Sequence, residues 1–211
     1  MSEIHEKSPK HCANKKAFNF HNFNKKLYIY LSTIFLTILS LIFLVWLILH
    51  PTKPQFSLKE AEINQLNLST PSLLNSSIQL TLLSNNPNKK VGIYYDEFLI
   101  YASYKGQKIT TETSISPFYE EHEETNLVSA FLIGNLQPVA STFAYEVQRD
   151  QGSTGKLVLN FKVMGRLRWK VGTWVSGRYR FVVNCVTFMP FGMLPSLPLS
   201  SRQGTQCSTT I

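Results

Sequence analysis

Lys156-Leu157-Val158-Leu159-Asn160-Phe161-Lys162-Val163-Met164-Gly165-Arg166 decides the fold class. Leu157, Leu159, Phe161 and Val163 are apolar and Lys156, Asn160 and Lys162 alternate with them. A period of two marks a strand with one face in a core and the other toward solvent. The same rhythm recurs on both sides of this stretch. Residues 77–84 put Ile78, Leu80 and Leu82 on one face, and residues 177–185 put Tyr179, Phe181, Val183 and Cys185 opposite Arg178, Arg180 and Asn184. Residues 94–104 and 108–113 flank Lys105-Gly106-Gln107, a Gly-containing hairpin loop. Residues 127–133 read as another strand. Residues 138–148 have helical spacing instead, through Ala140, Phe143 and Val147. Short strands separated by turn residues predict a mainly β fold, an antiparallel sandwich of about seven strands with one short helix.

Upstream of the strands the composition changes. Residues 27–49 are 23 positions without Asp, Glu, Lys, Arg, Gly or Pro. At about 1.5 Å per residue they cross the roughly 30 Å hydrocarbon layer of a bilayer. A signal peptide has a shorter apolar core and a small-residue cleavage site, whereas this run ends in His50-Pro51-Thr52-Lys53-Pro54. The stretch therefore predicts a retained transmembrane helix. Residues 1–26 carry six Lys and two Glu, while residues 50–65 carry only Lys53 and Lys59 as basic groups. Basic residues favour the cytoplasmic side, so the expected domains are a cytoplasmic basic tail over 1–26, the span over 27–49 and an extracellular β-sandwich over 50–211. Half of the formal charge of +8 then sits in the tail, where Lys residues meet anionic lipid. With the charge split in this way, no nucleic-acid partner is predicted. Ten Gly and ten Pro without a period, and three Cys, exclude collagen-like and disulfide-knot classes.

The distal part carries two glycosylation sequons, Asn67-Leu68-Ser69 and Asn75-Ser76-Ser77. Cys12 falls on the reducing side of the span, and Cys185 and Cys207 fall on the oxidising side, where they can pair and tie down the Pro-rich tail. Two unpaired cysteines, one in the core, are the alternative.

No catalytic motif is present: no Gly-x-Ser-x-Gly, phosphate loop, His-Glu-x-x-His or Cys-x-x-Cys. Glu120-Glu121-His122-Glu123-Glu124 has the oxygen ligands a hard cation favours. Neighbouring side chains of an extended chain point to opposite faces, so the run reads as a solvated acidic loop. No catalytic residue, metal site or cofactor is predicted. Arg166, Arg168 and Lys170 would share one face of a strand as a cationic ridge. That ridge is either a contact for a polyanion, a wall polysaccharide or phospholipid headgroups, or the solvated outside of a strand whose Trp169 and Trp174 enter the core.

Several blocks taken together resemble the plant harpin-induced-like (NDR/HIN-like) family, which is built on a group 2 late-embryogenesis-abundant domain. They are the juxtamembrane His50-Pro51-Thr52-Lys53-Pro54-Gln55-Phe56-Ser57-Leu58, Asn86-Pro87-Asn88-Lys89-Lys90-Val91-Gly92-Ile93-Tyr94-Tyr95-Asp96, Ser116-Pro117-Phe118-Tyr119, and Arg168-Trp169-Lys170-Val171-Gly172. The resemblance implies a fibronectin-III-like (immunoglobulin-like) sandwich outside a single plasma-membrane anchor. It also implies a non-enzymatic role in plant defence or stress, in membrane–wall contact or at plasmodesmata. The implied partners are the lipid bilayer, a cell-wall polyanion or other membrane proteins, including a homo- or hetero-oligomer. A lipid- or small-ligand-binding module is the alternative, since a sandwich rich in Tyr and Phe can hold an apolar groove. The family's Asn-Gly-Asp tripeptide is absent, as is Arg-Gly-Asp, which removes the expectation of integrin-like adhesion. The C-terminus lacks the apolar tail of a lipid-anchor signal. The Asn-Pro-Asn block reads as a turn, with Gly92 allowing a close backbone approach as the chain re-enters a sheet.

Overall fold

The computed structural model describes residues 20–49, 51–70, 72–190, 199–201 and 204–211. Most of the expected basic tail, Cys12 included, lies outside them. The chain divides into two compact units, Met1–Ile48 and Leu49–Ile211.

Among the described residues the first unit is the helix α1 (Phe20–Leu49). It starts seven residues before the apolar span, because no Gly or Pro between Phe20 and Lys26 stops it. Its stretch Lys25–Leu44 has a mean hydropathy of 2.3 and is long enough to cross a membrane. Leu27, Ile34, Leu36, Ile42 and Trp46 are all exposed. A helix apolar on every face is compatible with a membrane anchor or a signal sequence. Two of its polar side chains are satisfied within the helix. Thr33 Oγ1 donates to the Tyr30 carbonyl at 2.9 Å and Thr37 Oγ1 to that of Ile34 at 2.8 Å.

The second unit is the sandwich, and its strands are all paired antiparallel. In chain order they are β1 (Gln55–Thr70), β2 (Leu73–Asn85), β3 (Gly92–Tyr104), β4 (Gln107–Lys108), β5 (Thr113–Ile115), β6 (Phe118–Glu120) and β7 (Thr125–Pro138). After the helix α2 (Phe143–Ser153) come β8 (Lys156–Val171), β9 (Trp174–Val175), β10 (Tyr179–Pro190), β11 (Leu199–Ser201), β12 (Thr205–Gln206) and β13 (Ser208–Thr210). One sheet runs β11-β1-β2-β7 with β12 also on β1. The other runs β13-β10-β8-β3-β4, with β5 and β6 also on β3 and β9 on β8. Six of these strands are long, and the rest are short pieces that complete the edges. Segment 107–120 is in effect one broken strand along β3, interrupted at Pro117 and across 109–112.

Between the sheets lie Phe56, Leu58, Ile78, Leu80, Leu82 and Leu132 from one side and Tyr95, Phe98, Leu159, Phe161, Val163 and Phe181 from the other. Phe56, Tyr95, Phe98, Phe118 and Phe181 form an aromatic cluster with centroids 4.5 to 6.2 Å apart. These are spacings that edge-on and offset rings favour. The apolar set read from residues 156–166, Leu157, Leu159, Phe161 and Val163, is part of this core.

Four expectations shift. The helix runs Phe143–Ser153 rather than over 138–148, since Pro138 still pairs with Leu73 at the end of β7 and the turn opens only at Thr142. Its buried residue Phe143 stands edge-on to Tyr104 at 5.4 Å. Trp169 is in the core at 6% exposure, but Trp174 is 62% exposed. The β8–β9 hairpin turns at Gly172, where φ is +56°, so Trp174 sits beyond the last layer of inter-sheet contacts. Tyr179, the first residue of β10, is likewise 47% exposed. The acidic run is a solvated loop only in part. Pairing of Glu120 with Ile93 at the end of β6 carries its side chain to full burial, whereas Glu121 and Glu123 are exposed.

The C-terminal tail closes the open side of the sandwich. It pairs with β1 through β11 and β12, then crosses to pair with β10 through β13. Cys207, between those pairings, donates its N–H to the Phe56 carbonyl at 2.9 Å. It is joined to Cys185 of β10 by a disulfide with Cα atoms 4.4 Å apart.

Candidate functional site

The most strongly charged face of the domain is the outside of the β3–β8–β10 sheet. Alternation along β3 puts Ile93 and Tyr95 inward, and a bulge between Tyr95 and Glu97 then resets the phase so that Phe98 and Ile100 are inward. The extra residue leaves two consecutive acids, Asp96 and Glu97, on the outer face. Gly165 of β8 makes the bulge possible. A Cβ there would overlap the Glu97 carbonyl oxygen and press on the Phe181 ring.

Arg166, Arg168 and Lys170 share this outer face, and each already has a partner within the domain. Arg168 forks onto Asp96, with Nε 2.8 Å from Oδ2 and Nη2 2.5 Å from Oδ1. Arg178 of the β9–β10 connection reaches the same carboxylate, Nε to Oδ2 at 3.2 Å. The Arg168 guanidinium, with Arg178 behind it, holds Asp96 below the usual carboxylate range. Arg166 lies 3.4 Å from Glu97. Lys170 stands over the rings of Tyr119 and Tyr94, 4.8 and 5.6 Å from their centroids, a cation–π arrangement. The ridge is thus a ladder of basic, acidic and aromatic groups. Arg178, with 62% of its side chain exposed, and the exposed Arg180 are its most accessible cations.

The stalk, residues 51–54, joins the sandwich at the end bearing Gln55, Asn85, Gly92 and Val171. A buried amide network holds that end together. Asn86 Nδ2 donates to the carbonyls of Val91 and Glu121, both at 2.8 Å, and its Oδ1 accepts from the backbone and side-chain amides of Asn88. Asn88 in turn clasps Thr52, accepting from its N–H at 2.7 Å and donating to its carbonyl at 2.8 Å. Asn suits both positions because its amide donates and accepts at once. The Asn-Pro-Asn block is therefore a structural clasp between the stalk and two loops. Gly92 gives the close approach its position suggests, since the Tyr119 ring fills the space a Cβ would need.

Beneath the clasp lies Glu120. Its Oε2 accepts from Ser84 Oγ at 3.0 Å and from the Tyr95 hydroxyl at 3.2 Å, while Oε1 is buried without a partner among the described residues. Burial, opposed by those hydrogen bonds and reinforced by nearby Glu124, pushes its carboxyl up to about 7.

Comparison with known proteins gives the family. The family described as "Late embryogenesis abundant protein" matches residues 81–185, the stretch holding the clasp, the bulge and the ladder. NDR1/HIN1-like protein 26 of Arabidopsis thaliana is 59% identical over 100% of both chains. NDR1/HIN1-like protein 12 of the same plant is 45% identical over 72% of each. The chain belongs to the NDR1/HIN1-like family. A crystal structure of a protein from Archaeoglobus fulgidus aligns with 65% of this chain and 100% of its own, at 14% identity and a TM-score of 0.34.

In this NDR1/HIN1-like chain the two sequons sit at the end opposite the stalk. Asn67 and Asn75 are cross-strand partners on β1 and β2. Asn67 is exposed and Asn75 half-buried, its amide donating to Ser69 Oγ at 2.7 Å and accepting from the Leu136 N–H at 2.8 Å. Among the described residues no three His, Cys, Asp or Glu side chains come together to hold a metal. Sequence reasoning put Arg178 on an outer face but missed Asp96 as its partner, and it read Glu120 as part of a solvated loop where the structure buries it. The phase change from Ile93 and Tyr95 to Phe98 and Ile100 is the one signal that could have revealed Asp96.

Proposed function

We propose that this NDR1/HIN1-like chain is a non-enzymatic, single-pass plasma-membrane protein whose sandwich faces the cell exterior and acts in plant defence or stress. It does so through contact between membrane and wall, or in cell-to-cell communication at plasmodesmata. The observation that carries this reading is end-to-end likeness to a family member in a chain that couples a bare apolar helix to a domain whose polar groups bond to one another. The Lys asymmetry about the helix and a disulfide in the distal unit support an exterior placement. Retention by a wall polyanion runs, in this reading, through the outer face of Arg166, Arg168, Lys170, Arg178 and Arg180. The ligand-module alternative is less well supported, because aromatic side chains fill the space between the sheets.

Protease added to intact protoplasts expressing a C-terminally tagged chain tests the placement. Loss of the tag, together with a deglycosylation shift that disappears in the Asn67→Gln/Asn75→Gln double variant, is expected. A protected tag refutes the orientation. Plants lacking the protein, challenged with a bacterial pathogen, test the role. A response indistinguishable from the parent line in growth of the bacterium and in stress tolerance argues against it.

A further inference from the structure

At the stalk end the sandwich carries a feature that its own stability does not require. The β8–β9 hairpin projects past the pairing of Lys170 with Gly92 and presents Trp174 at 62% exposure. Val175 and Tyr179 beside it are 36% and 47% exposed. Leaving a Trp this bare in water forgoes its large burial energy. Trp and Tyr with basic neighbours are the side chains that favour the boundary between headgroups and acyl chains, where the ring body is apolar and the N–H or O–H is wet.

Covalent connectivity places this hairpin near such a boundary. Thr52 is clasped to Asn88 in the loop before β3, on the same end of the sandwich as the hairpin. Only two residues lie between Thr52 and Leu49, the last residue of the apolar helix, and the three steps reach about 10 Å at full extension. The exposed Lys53, Lys89 and Lys90 belong to that end too, with Arg178 and Arg180 flanking the hairpin. Glu121 and Glu123 are exposed there as well, so the local charge is mixed. That favours a zwitterionic phospholipid surface read mainly by the aromatic side chains.

We infer that the hairpin around Trp174, with Tyr179, is a second membrane contact that seats the stalk end of the sandwich in the headgroup layer of the bilayer its own helix crosses. This rests on the proposed membrane anchorage. Two attachments, one spanning and one interfacial, would fix the tilt of the domain and hold the glycosylation sites and the far loops away from the surface. A single flexible stalk would leave the domain free to swing.

The test uses the full chain carrying Trp46→Phe, reconstituted into phosphatidylcholine vesicles with and without phosphatidylserine. The remaining tryptophans are buried Trp169 and exposed Trp174, and the difference from Trp46→Phe/Trp174→Phe isolates the latter. Trp174 lies outside the core cluster, so its replacement leaves the fold in place. The inference expects the protein to float with the vesicles and the Trp174 emission to be blue-shifted. That emission should be quenched by lipids bearing a nitroxide near the headgroup and shielded from aqueous acrylamide, in both lipid mixtures. Flotation with acrylamide quenching and no nitroxide quenching puts the hairpin in water and overturns the docking while leaving the anchor intact. Shielding from both quenchers means that protein, such as a second copy, covers the hairpin, and this also overturns it. Failure to float removes the anchor and the docking together.

Discussion

Replacing Glu120 with Gln should flatten the pH dependence of the sandwich's stability. Glu120 is fully buried, and its folded carboxyl titrates near 7 against an ordinary 4.5. Below about pH 4.5 it is protonated whether the chain is folded or not, and its contribution is fully present. Between 4.5 and 7 the unfolded chain ionises and the folded one resists, so stability falls by up to about 1.4 kcal/mol per pH unit. Over the window the loss is about 3 kcal/mol, and above pH 7 it is complete. Asp96 and Asp150 have folded carboxyls held low, and their stability is lost only as pH falls through those values, on the acid side of the window. Burial also pushes the Tyr95 phenol up, so it stays a donor to Glu120 throughout. The Glu120→Gln variant keeps an acceptor for Ser84 and Tyr95 but buries an amide N–H where Oε1 has no partner, at a fixed cost of about 1–3 kcal/mol. Urea unfolding of residues 50–211 with the disulfide intact, at several pH values from 4.5 to 8, measures both proteins. The parent should lose stability toward pH 8 and the variant should not, so the two curves converge or cross. Parallel curves would refute the assignment of the pH dependence to Glu120.

Three further outcomes follow from the same structure. Cys185→Ser and Cys207→Ser should each lower stability by about 3 kcal/mol, the entropy of a closed loop whose ends lie 22 residues apart. The double variant should match either single one in thermal melts, and free thiols in the purified parent would overturn the expectation. Gly165→Ala forces a Cβ into the Glu97 carbonyl and should cost about 3 kcal/mol or more in urea unfolding, because both clashing groups are held by the β3–β8 ladder; a near-neutral effect would show that the bulge is soft. On an anionic polysaccharide column at low salt, Arg178→Gln/Arg180→Gln should elute at lower salt than Arg166→Gln. Arg166 is already matched by Glu97, whereas Asp96 is shared with Arg168; the opposite order would place the contact elsewhere on the face.

Local composition was enough to determine the apolar helix, because crossing an apolar medium is a property of a contiguous stretch. It was also enough for the core faces of β2, β8 and most of β10, because a strand's inward set is fixed by its own alternation. The resemblance of four short blocks carried the family. The features that build the candidate site depend instead on what lies across the sheet. The bulge at Asp96 exists because Gly165, on a strand 69 positions later in the chain, leaves room for it, and it turns an expected row of free cations into a ladder of matched charges. Glu120 reads as one more acid of a polar run until pairing with Ile93 draws it under the Asn86 clasp. Trp169 and Trp174 are five residues apart in one basic stretch, and only the position of the hairpin turn beyond the inter-sheet layer puts the first in the core and leaves the second bare. Periodicity assigns a side chain to a face, but the neighbours it meets are fixed by register and bulges between strands distant in the chain, and these were set by tertiary packing alone.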